Sequence, residues 1–285
     1  LFKVQTWTPG TMCIGDVTIK HGPWAGRKMA DLYAEAFLPW EWHEPIFDHA
    51  RSLGMIPFST AFDCESVDFL DTLGVDRHKI SSFELVDLPL IEYMAGNGKP
   101  IYLSTGMATD VEINAAYHAA SYAGGICELI CASAYPAPCS SIDLRKADRL
   151  SLDRWGLSDH TMGIGVACAA VARGACYIEK HLTLSRADGG LDAGFSMEPH
   201  EFKALVDGCK AAYEASYGEA RDGPAPGEHP ELRRSLWVRK STPADAAARR
   251  QSLLEWVQSQ QNKGYDPPIP QKLLSPFQVS KSKGL

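Results

Sequence analysis

This chain of 285 residues lacks any apolar run approaching the roughly 18 residues of a membrane-spanning helix, and no signal peptide is visible in it. A membrane partner therefore has no support in the sequence. Its eight cysteines, Cys13, Cys64, Cys127, Cys131, Cys139, Cys168, Cys176 and Cys209, include no CxxC pair. Without ligand spacing they read as small buried hydrophobes in a reducing cytoplasm, rather than as a zinc or disulfide framework. Neither a Walker loop nor a GxGxxG turn occurs, so a nucleotide is not indicated. Positive charge is in deficit: 28 Lys and Arg stand against 35 Asp and Glu, a net charge of −7. That balance argues against a nucleic-acid partner or an anionic membrane surface. It leaves room for a few lysines to form a local pocket for a phosphorylated small molecule.

What the chain has is a repeating alternation of short apolar runs and helical patterns. Strands are predicted over Phe2–Thr6, Ile56–Ala61, His78–Ser82, Pro100–Ser104, Glu128–Ala132, Gly156–Asp159 and Cys176–His181. Helices are predicted over Glu65–Leu73, Pro89–Gly96, Asp110–Ala123, Leu144–Asp153, Ile164–Arg173 and Glu198–Tyr217. Strands without polar alternation suit a parallel sheet covered on both faces. The chain opens without Met in what reads as the middle of a strand, so one further strand is expected before Leu1. Seven strands and that one make a (β/α)₈ TIM barrel, an α/β fold, here lacking its first strand. Residues 1–217 form the barrel domain in this reading. The Gly, Pro and acidic stretch 218–240 is a linker. Residues 241–285 form an irregular helical C-terminal tail, with one polar helix at Ala244–Gln261.

Polar residues gather at the C-terminal ends of the strands, where barrel enzymes place their chemistry. Lys3 and Gln5 lie on the first strand, and Ser59 and Thr60 end the second. Lys79, Ser81, Ser82 and Glu84 cluster at the third, Ser104-Thr105-Gly106 at the fourth, and Ser133 and Tyr135 at the fifth. Two lysines, several hydroxyls and a glycine turn on one rim describe a phosphate site. For any single serine, a strand-end hydroxyl satisfying backbone is the better explanation of the position. Lys79 is different, because it sits inside an apolar strand where an unpaired ammonium is costly. Glu84 reads either as a site carboxylate or as a solvated acid at a helix start.

Ser158-Asp159-His160-Thr161 and Glu179-Lys180-His181 each end a strand, and His181 follows His160 by 21 positions. That is one strand–helix–strand unit, so both imidazoles emerge at the same rim. Two imidazoles with open positions suit Mn²⁺, Zn²⁺ or Fe²⁺. The alternative is that each histidine caps a strand end and binds nothing.

Lys79-Ile80-Ser81-Ser82-Phe83-Glu84, Leu103-Ser104-Thr105-Gly106-Met107-Ala108-Thr109, Leu157-Ser158-Asp159-His160-Thr161 and Ile178-Glu179-Lys180-His181 resemble the signatures of the sialic acid synthase family. The resemblance runs from Leu1 to about Lys240. Pro39-Trp40-Glu41-Trp42-His43, Ser133–Pro138 and Arg186-Ala187-Asp188-Gly189-Gly190 are similar to its pseudaminic acid branch. The resemblance implies a transferase that condenses phosphoenolpyruvate with an aldehyde-form amino sugar, for surface-glycan biosynthesis. Phosphate leaves by C–O cleavage, and the product is a nine-carbon 2-keto acid.

By motif, Lys3, Thr60, Lys79, Ser82, Ser104 and Ser158 are implied to bind phosphoenolpyruvate. His160 and His181 are implied to hold a divalent metal, Mn²⁺ or Mg²⁺, and Gln5, Tyr135 and Asp192 to contact the sugar. Glu84 is placed near the reacting carbons. Sialic acid synthases proper carry Asn at Ser133, and the change fits the pseudaminate branch. The resemblance also implies a cytoplasmic enzyme that is a homodimer at full length. The family's C-terminal antifreeze-like domain is not recognisable in 241–285. A non-catalytic truncated remnant, or an assembly subunit, is therefore the reading of a second class. N-acetylneuraminate and legionaminate synthesis remain open beside pseudaminate, and so does a different metal-dependent aldolase on the same barrel.

Overall fold

The computed structural model describes residues 1–13, 16–150, 152, 154–229 and 243–264. In chain order the regular elements are β1 (Phe2–Thr6), α1 (Pro9–Met12), α2 (Met29–Ala36), α3 (His43–Ser52), β2 (Pro57–Ala61) and α4 (Cys64–Thr72). There follow β3 (His78–Ile80), α5 (Leu88–Ala95), β4 (Ile101–Ser104), α6 (Asp110–Ala119), β5 (Ile126–Cys131) and β6 (Trp155–Asp159). The series ends with α7 (Gly165–Ala172), β7 (Tyr177–Lys180), α8 (Pro199–Tyr217) and α9 (Pro243–Gln261). The seven strands form one parallel sheet in the order β1 to β7, each strand bonded to the next in the sequence.

Sequential order follows from the helical crossovers, because each helix returns the chain to the same edge and carries apolar residues onto the outer face. Phe47 of α3, Val67 and Leu70 of α4, and Ile91 and Met94 of α5 pack there against Ile80, Ile101 and Leu103. Ala167, Ala170 and Leu205 of α7 and α8 cover Ile130 and Leu157. The helix starts are built locally: the Asp63 carboxylate accepts from Ser66 N at 2.6 Å, and Thr109 with Glu112 forms a capping box on α6.

The inner face curls around side chains of its own. Tyr102 of β4 and Tyr177 of β7 lie 4.6 Å apart by ring centroid, and Phe58 of β2 lies 5.9 Å from Tyr102. This aromatic plug closes the floor beneath the polar rim. Gly156 makes room for it, since a Cβ there would approach Tyr177 O to 2.5 Å and Leu129 to 2.8 Å.

Several boundaries differ from the sequence reading. The expected helix Leu144–Asp153 is only a 3-10 turn, Leu144–Arg149, because β6 begins at Trp155; Asp153 lies outside the described residues. The sequence reading places no helix between β1 and β2, where the structure has three, α1, α2 and α3. Strand β3 stops at Ile80, since Ser81 turns to bond Glu84. None of the eight cysteines forms a disulfide, but only Cys127 is buried as expected: Cys13, Cys131, Cys168 and Cys209 are half-buried, and Cys64, Cys139 and Cys176 are exposed.

The chain divides into two compact units, Leu1–Gly218 and Glu219–Leu285. The polar helix of the second spans Pro243–Gln261. The second part of the expected linker, from 230, and the tail beyond 264 lie outside the described residues. Among the described residues no helix is long and apolar enough to cross a membrane.

Candidate active site

Strand alternation decides which residues enter the site, because successive side chains leave a strand on opposite faces. The inward-facing residues near the C-terminal ends of the strands include Lys3, Thr60, Lys79, Ser104, Cys131, Ser158 and Glu179, one from each strand. Lys3 Nζ donates to Thr60 Oγ1 at 3.2 Å. Lys79 Nζ donates to Ser104 Oγ at 2.6 Å and to Ile80 O at 2.9 Å. Ser158 Oγ donates to Glu179 Oε1 at 3.1 Å, and Glu179 lies 3.9 Å from Lys79 and 4.0 Å from Lys3. Gln5 leaves β1 on the same face as Lys3, in register with Thr60.

Two ammonium groups and a ring of hydroxyls therefore surround one carboxylate. Burial alone raises Glu179, but Lys3, Lys79, the Ser158 hydroxyl and His181 outweigh it and hold the carboxyl at about 2. Burial lowers Lys79 from its ordinary value, although Glu179 opposes this. The nest is thus one positive charge in excess, with hydroxyl donors on several sides. That arrangement has the charge and donors to suit a compact anion such as a phosphate ester.

Gly106 joins the nest to the loops above it. Its N–H donates to Ser82 Oγ at 3.1 Å. A Cβ at Gly106 would stand 2.8 Å from Ser82 Oγ and closer still to Ser133 Oγ, so glycine alone lets the two serines meet over this turn. Glu84 is bonded by Ser81 Oγ and is raised chiefly by burial. The cap of α5 is Asp87, whose carboxylate accepts from Leu90 N at 3.2 Å. Glu84 is therefore not the helix-start acid of the alternative reading. Burial leaves it a carboxyl able to hold or release a proton at the rim of the nest.

His160 and His181 stand side by side, with ring centroids 5.4 Å apart. His160 Nδ1 lies 3.0 Å from Ala132 O and 3.8 Å from Cys131 Sγ. His181 Nδ1 lies 3.4 Å from Asp192 Oδ2. His160 Nδ1 thus bonds a backbone carbonyl, while His181 Nδ1 faces a carboxylate, so Nε2 is the nitrogen that each ring has left for a ligand. Among the described residues no group of three or more His, Cys, Asp or Glu side chains is placed to hold a metal. The Tyr135 ring packs 4.4 Å from His160, and burial raises its hydroxyl.

Sequence reasoning missed two members of this set. Glu179 stands two positions before His181 and Cys131 two before Ser133, and a period of two would have placed both inward. Cys131 links the halves: burial raises its thiol, but His160, Ser82 and Lys79 outweigh that and leave it below the ordinary range. Other motif residues face outward as scaffold. Lys180 donates to Asp159 Oδ2 at 2.7 Å and to the carbonyls of Thr161 and Gly163. Ser59 and His43 both bond Thr6 Oγ1, at 2.6 and 2.8 Å, in a sealed network under α3.

The chain matches the NeuB family over residues 1–221. Pseudaminic acid synthase of Campylobacter jejuni is 34% identical over 238 residues, covering 77% of this chain and 66% of that protein. Pseudaminic acid synthase of Helicobacter pylori is 37% identical over 217 residues, 73% of this chain and 64% of the relative. N,N'-diacetyllegionaminic acid synthase of Legionella pneumophila is 36% identical over 225 residues, 74% of this chain and 63% of the relative. The chain thus spans just under two thirds of these proteins.

Among solved structures, the N-acetylneuraminic acid synthetase of Leptospira borgpetersenii, in complex with citrate, superposes with a TM-score of 0.64 at 27% identity. That match covers 74% of this chain and 75% of the other. Phospho-2-dehydro-3-deoxyheptonate aldolase of Thermotoga maritima shares the fold, with a TM-score of 0.54 at 19% identity over 62% of this chain and 56% of its own. Motif order, strand order and these likenesses agree: the chain belongs to the NeuB family of sialic acid synthases.

Proposed function

We propose that this chain carries the phosphoenolpyruvate-condensing site of a nonulosonic acid synthase. Its sugar is an aldehyde-form amino sugar of the 2,4-diacetamido-2,4,6-trideoxy-L-altrose type, its products pseudaminate and phosphate. The observation that carries this is the nest itself, where Lys3, Lys79, Thr60, Ser104 and Ser158 converge beside a histidine pair. Lys3, Lys79 and the hydroxyls, with Ser82 on the Gly106 turn, bind the phosphate and carboxylate of phosphoenolpyruvate. Gln5, Tyr135, Ser133 and Asp192 line the side where the sugar lies. Glu84 lies where a carboxylate can stabilise positive charge at carbon 2 of the enol, or orient the water that adds there.

The donor set at His160 and His181 fits a divalent metal, Mn²⁺ or Mg²⁺, with water and substrate completing its shell. When bound, such an ion supplies Lewis-acid polarisation of the sugar aldehyde. An eighth strand between β7 and β1 would close the sheet into the full barrel. Lys3 of β1 already reaches within 4.0 Å of Glu179 on β7. The working form in this reading is a cytoplasmic homodimer.

The 36% identity to a diacetyllegionaminic acid synthase supports a second sugar specificity on the same site. Phosphate release from phosphoenolpyruvate with Mn²⁺ or Mg²⁺ tests both, with the altrose-, mannosamine- and bacillosamine-derived sugars offered separately. Release with only the diacetamido-trideoxy-altrose is the expected result. Release with another sugar reassigns the specificity. No release from folded protein with any sugar overturns the catalytic reading and leaves a non-catalytic barrel.

A further inference from the structure

A short segment between α1 and α2 builds a hairpin over the site. Thr18 bridges Lys28 antiparallel, Gly26 N donates to Ile19 O at 2.8 Å, and Met29 N donates to Val17 O at 2.8 Å. The tip of this hairpin carries Trp24. Its indole lies 5.6 Å from the Tyr135 ring and 6.2 Å from Phe195, edge to face with the latter. Tyr135 and Phe195 pack on each other at 5.1 Å, and Phe195 lies 5.2 Å from His181. Three aromatic rings from three distant parts of the chain therefore wall the same side of the histidine pair.

The indole is pinned by its polar atom. Trp24 Nε1 donates to Leu191 O at 3.1 Å, beside Asp192, which pairs with His181. An indole has one donor and no acceptor, so with Nε1 engaged only apolar surface remains to face a ligand. Half-burial leaves part of that surface open. Phe195 offers no polar atom either. A sugar carbon carrying a methyl group loses nothing against the faces of these rings, whereas a hydroxymethyl group laid on the Trp24 and Phe195 faces leaves its water partners and finds none on them.

Resting on the synthase reading above, we propose that Trp24 is a specificity-determining residue. With Tyr135 and Phe195 it forms an apolar subsite for the methyl group of a 6-deoxy, N-acylated sugar and disfavours the 6-hydroxyl counterpart. A hydrophobic pocket of this kind discriminates by about tenfold to a hundredfold.

Equilibrium binding to the whole chain, followed by calorimetry, tests the assignment. The probes are 2,4-diacetamido-2,4,6-trideoxy-L-altrose and its 6-hydroxylated counterpart, 2,4-diacetamido-2,4-dideoxy-L-altrose. The wild type is expected to bind the deoxy sugar at least tenfold more tightly. Trp24→Ala should bring that preference below about threefold, with the circular dichroism spectrum of the folded protein retained. Trp24→Phe keeps a ring but loses the bond to Leu191, and should retain most of the preference. A preference unchanged in Trp24→Ala, or lost as completely in Trp24→Phe, overturns the proposal. A wild type that prefers the hydroxylated sugar overturns it as well. Phosphate release is read separately: a wild type that binds with the stated preference but never turns over phosphoenolpyruvate sinks the synthase reading alone.

Discussion

Glu179 lies 3.9 Å from Lys79 at the centre of the inward ring, with the lysine side chain 3% exposed and the carboxylate 16%. The pair is asymmetric. Glu179 faces two lysines and a hydroxyl, while Lys79 faces one carboxylate. The carboxylate thus gains more from its neighbours than burial costs it, and the lysine does not. An anion entering the nest supplies the second negative charge that Lys3 and Lys79 together can accommodate.

The first prediction concerns that carboxylate in acid. Its folded value, about 2, lies below the ordinary 4.5, so its contribution is present above about pH 4.5 and is lost as pH falls towards 2. Glu179→Gln should cost on the order of 3 kcal/mol near neutral pH, because it leaves buried lysines without a counter-charge. Urea denaturation of both proteins at several pH values checks this. The gap should close on acidification, and a constant gap down to pH 3 would contradict the assignment.

Gly106 gives the second. Gly106→Ala drives a Cβ into Ser82 Oγ and Ser133 Oγ and should cost about 1–3 kcal/mol, the usual range for overpacking. On the proposed synthase reading, affinity for phosphoenolpyruvate should fall at least tenfold, because Ser82 is displaced. Removing one obstacle in Gly106→Ala/Ser133→Ala should restore much of the stability. Equal melting of the single and double variants would show that the clash is relieved elsewhere.

The third contrasts two lysines with opposite surroundings. Lys180 and Asp159 are 2% and 0% exposed, whereas Lys203 and Asp207 are 70% and 56% exposed. Lys180→Met should destabilise by about 3–5 kcal/mol, because it strands a buried carboxylate. Lys203→Met should stay within about 0.5 kcal/mol, as an exposed pair does. Comparable losses in denaturant would refute the structural role given to Lys180.

Much of the framework was written locally. Short apolar runs, each with polar residues at its C-terminal end, announced a parallel sheet with its chemistry on one rim. Lys79 stood out because an ammonium inside an apolar strand needs partners. His160 and His181 stood out because one strand–helix–strand unit separates them. The segment between β1 and β2 was illegible. Of its helices, α3 packs against β2, and His43, Thr6 and Ser59 are joined only in the fold.

The sequence by itself determined which strands exist, their order, and which residue types reach the rim, because strand period and apolar burial are properties of neighbours in the chain. The tertiary structure decided that Glu179 meets Lys3 and Lys79, that Cys131 meets His160, that Lys180 pairs with Asp159, and that Trp24 meets Tyr135 and Phe195. Those contacts depend on strand register, the curl of the sheet and the fold of a distant hairpin. They join residues too far apart in the chain for any local pattern to record.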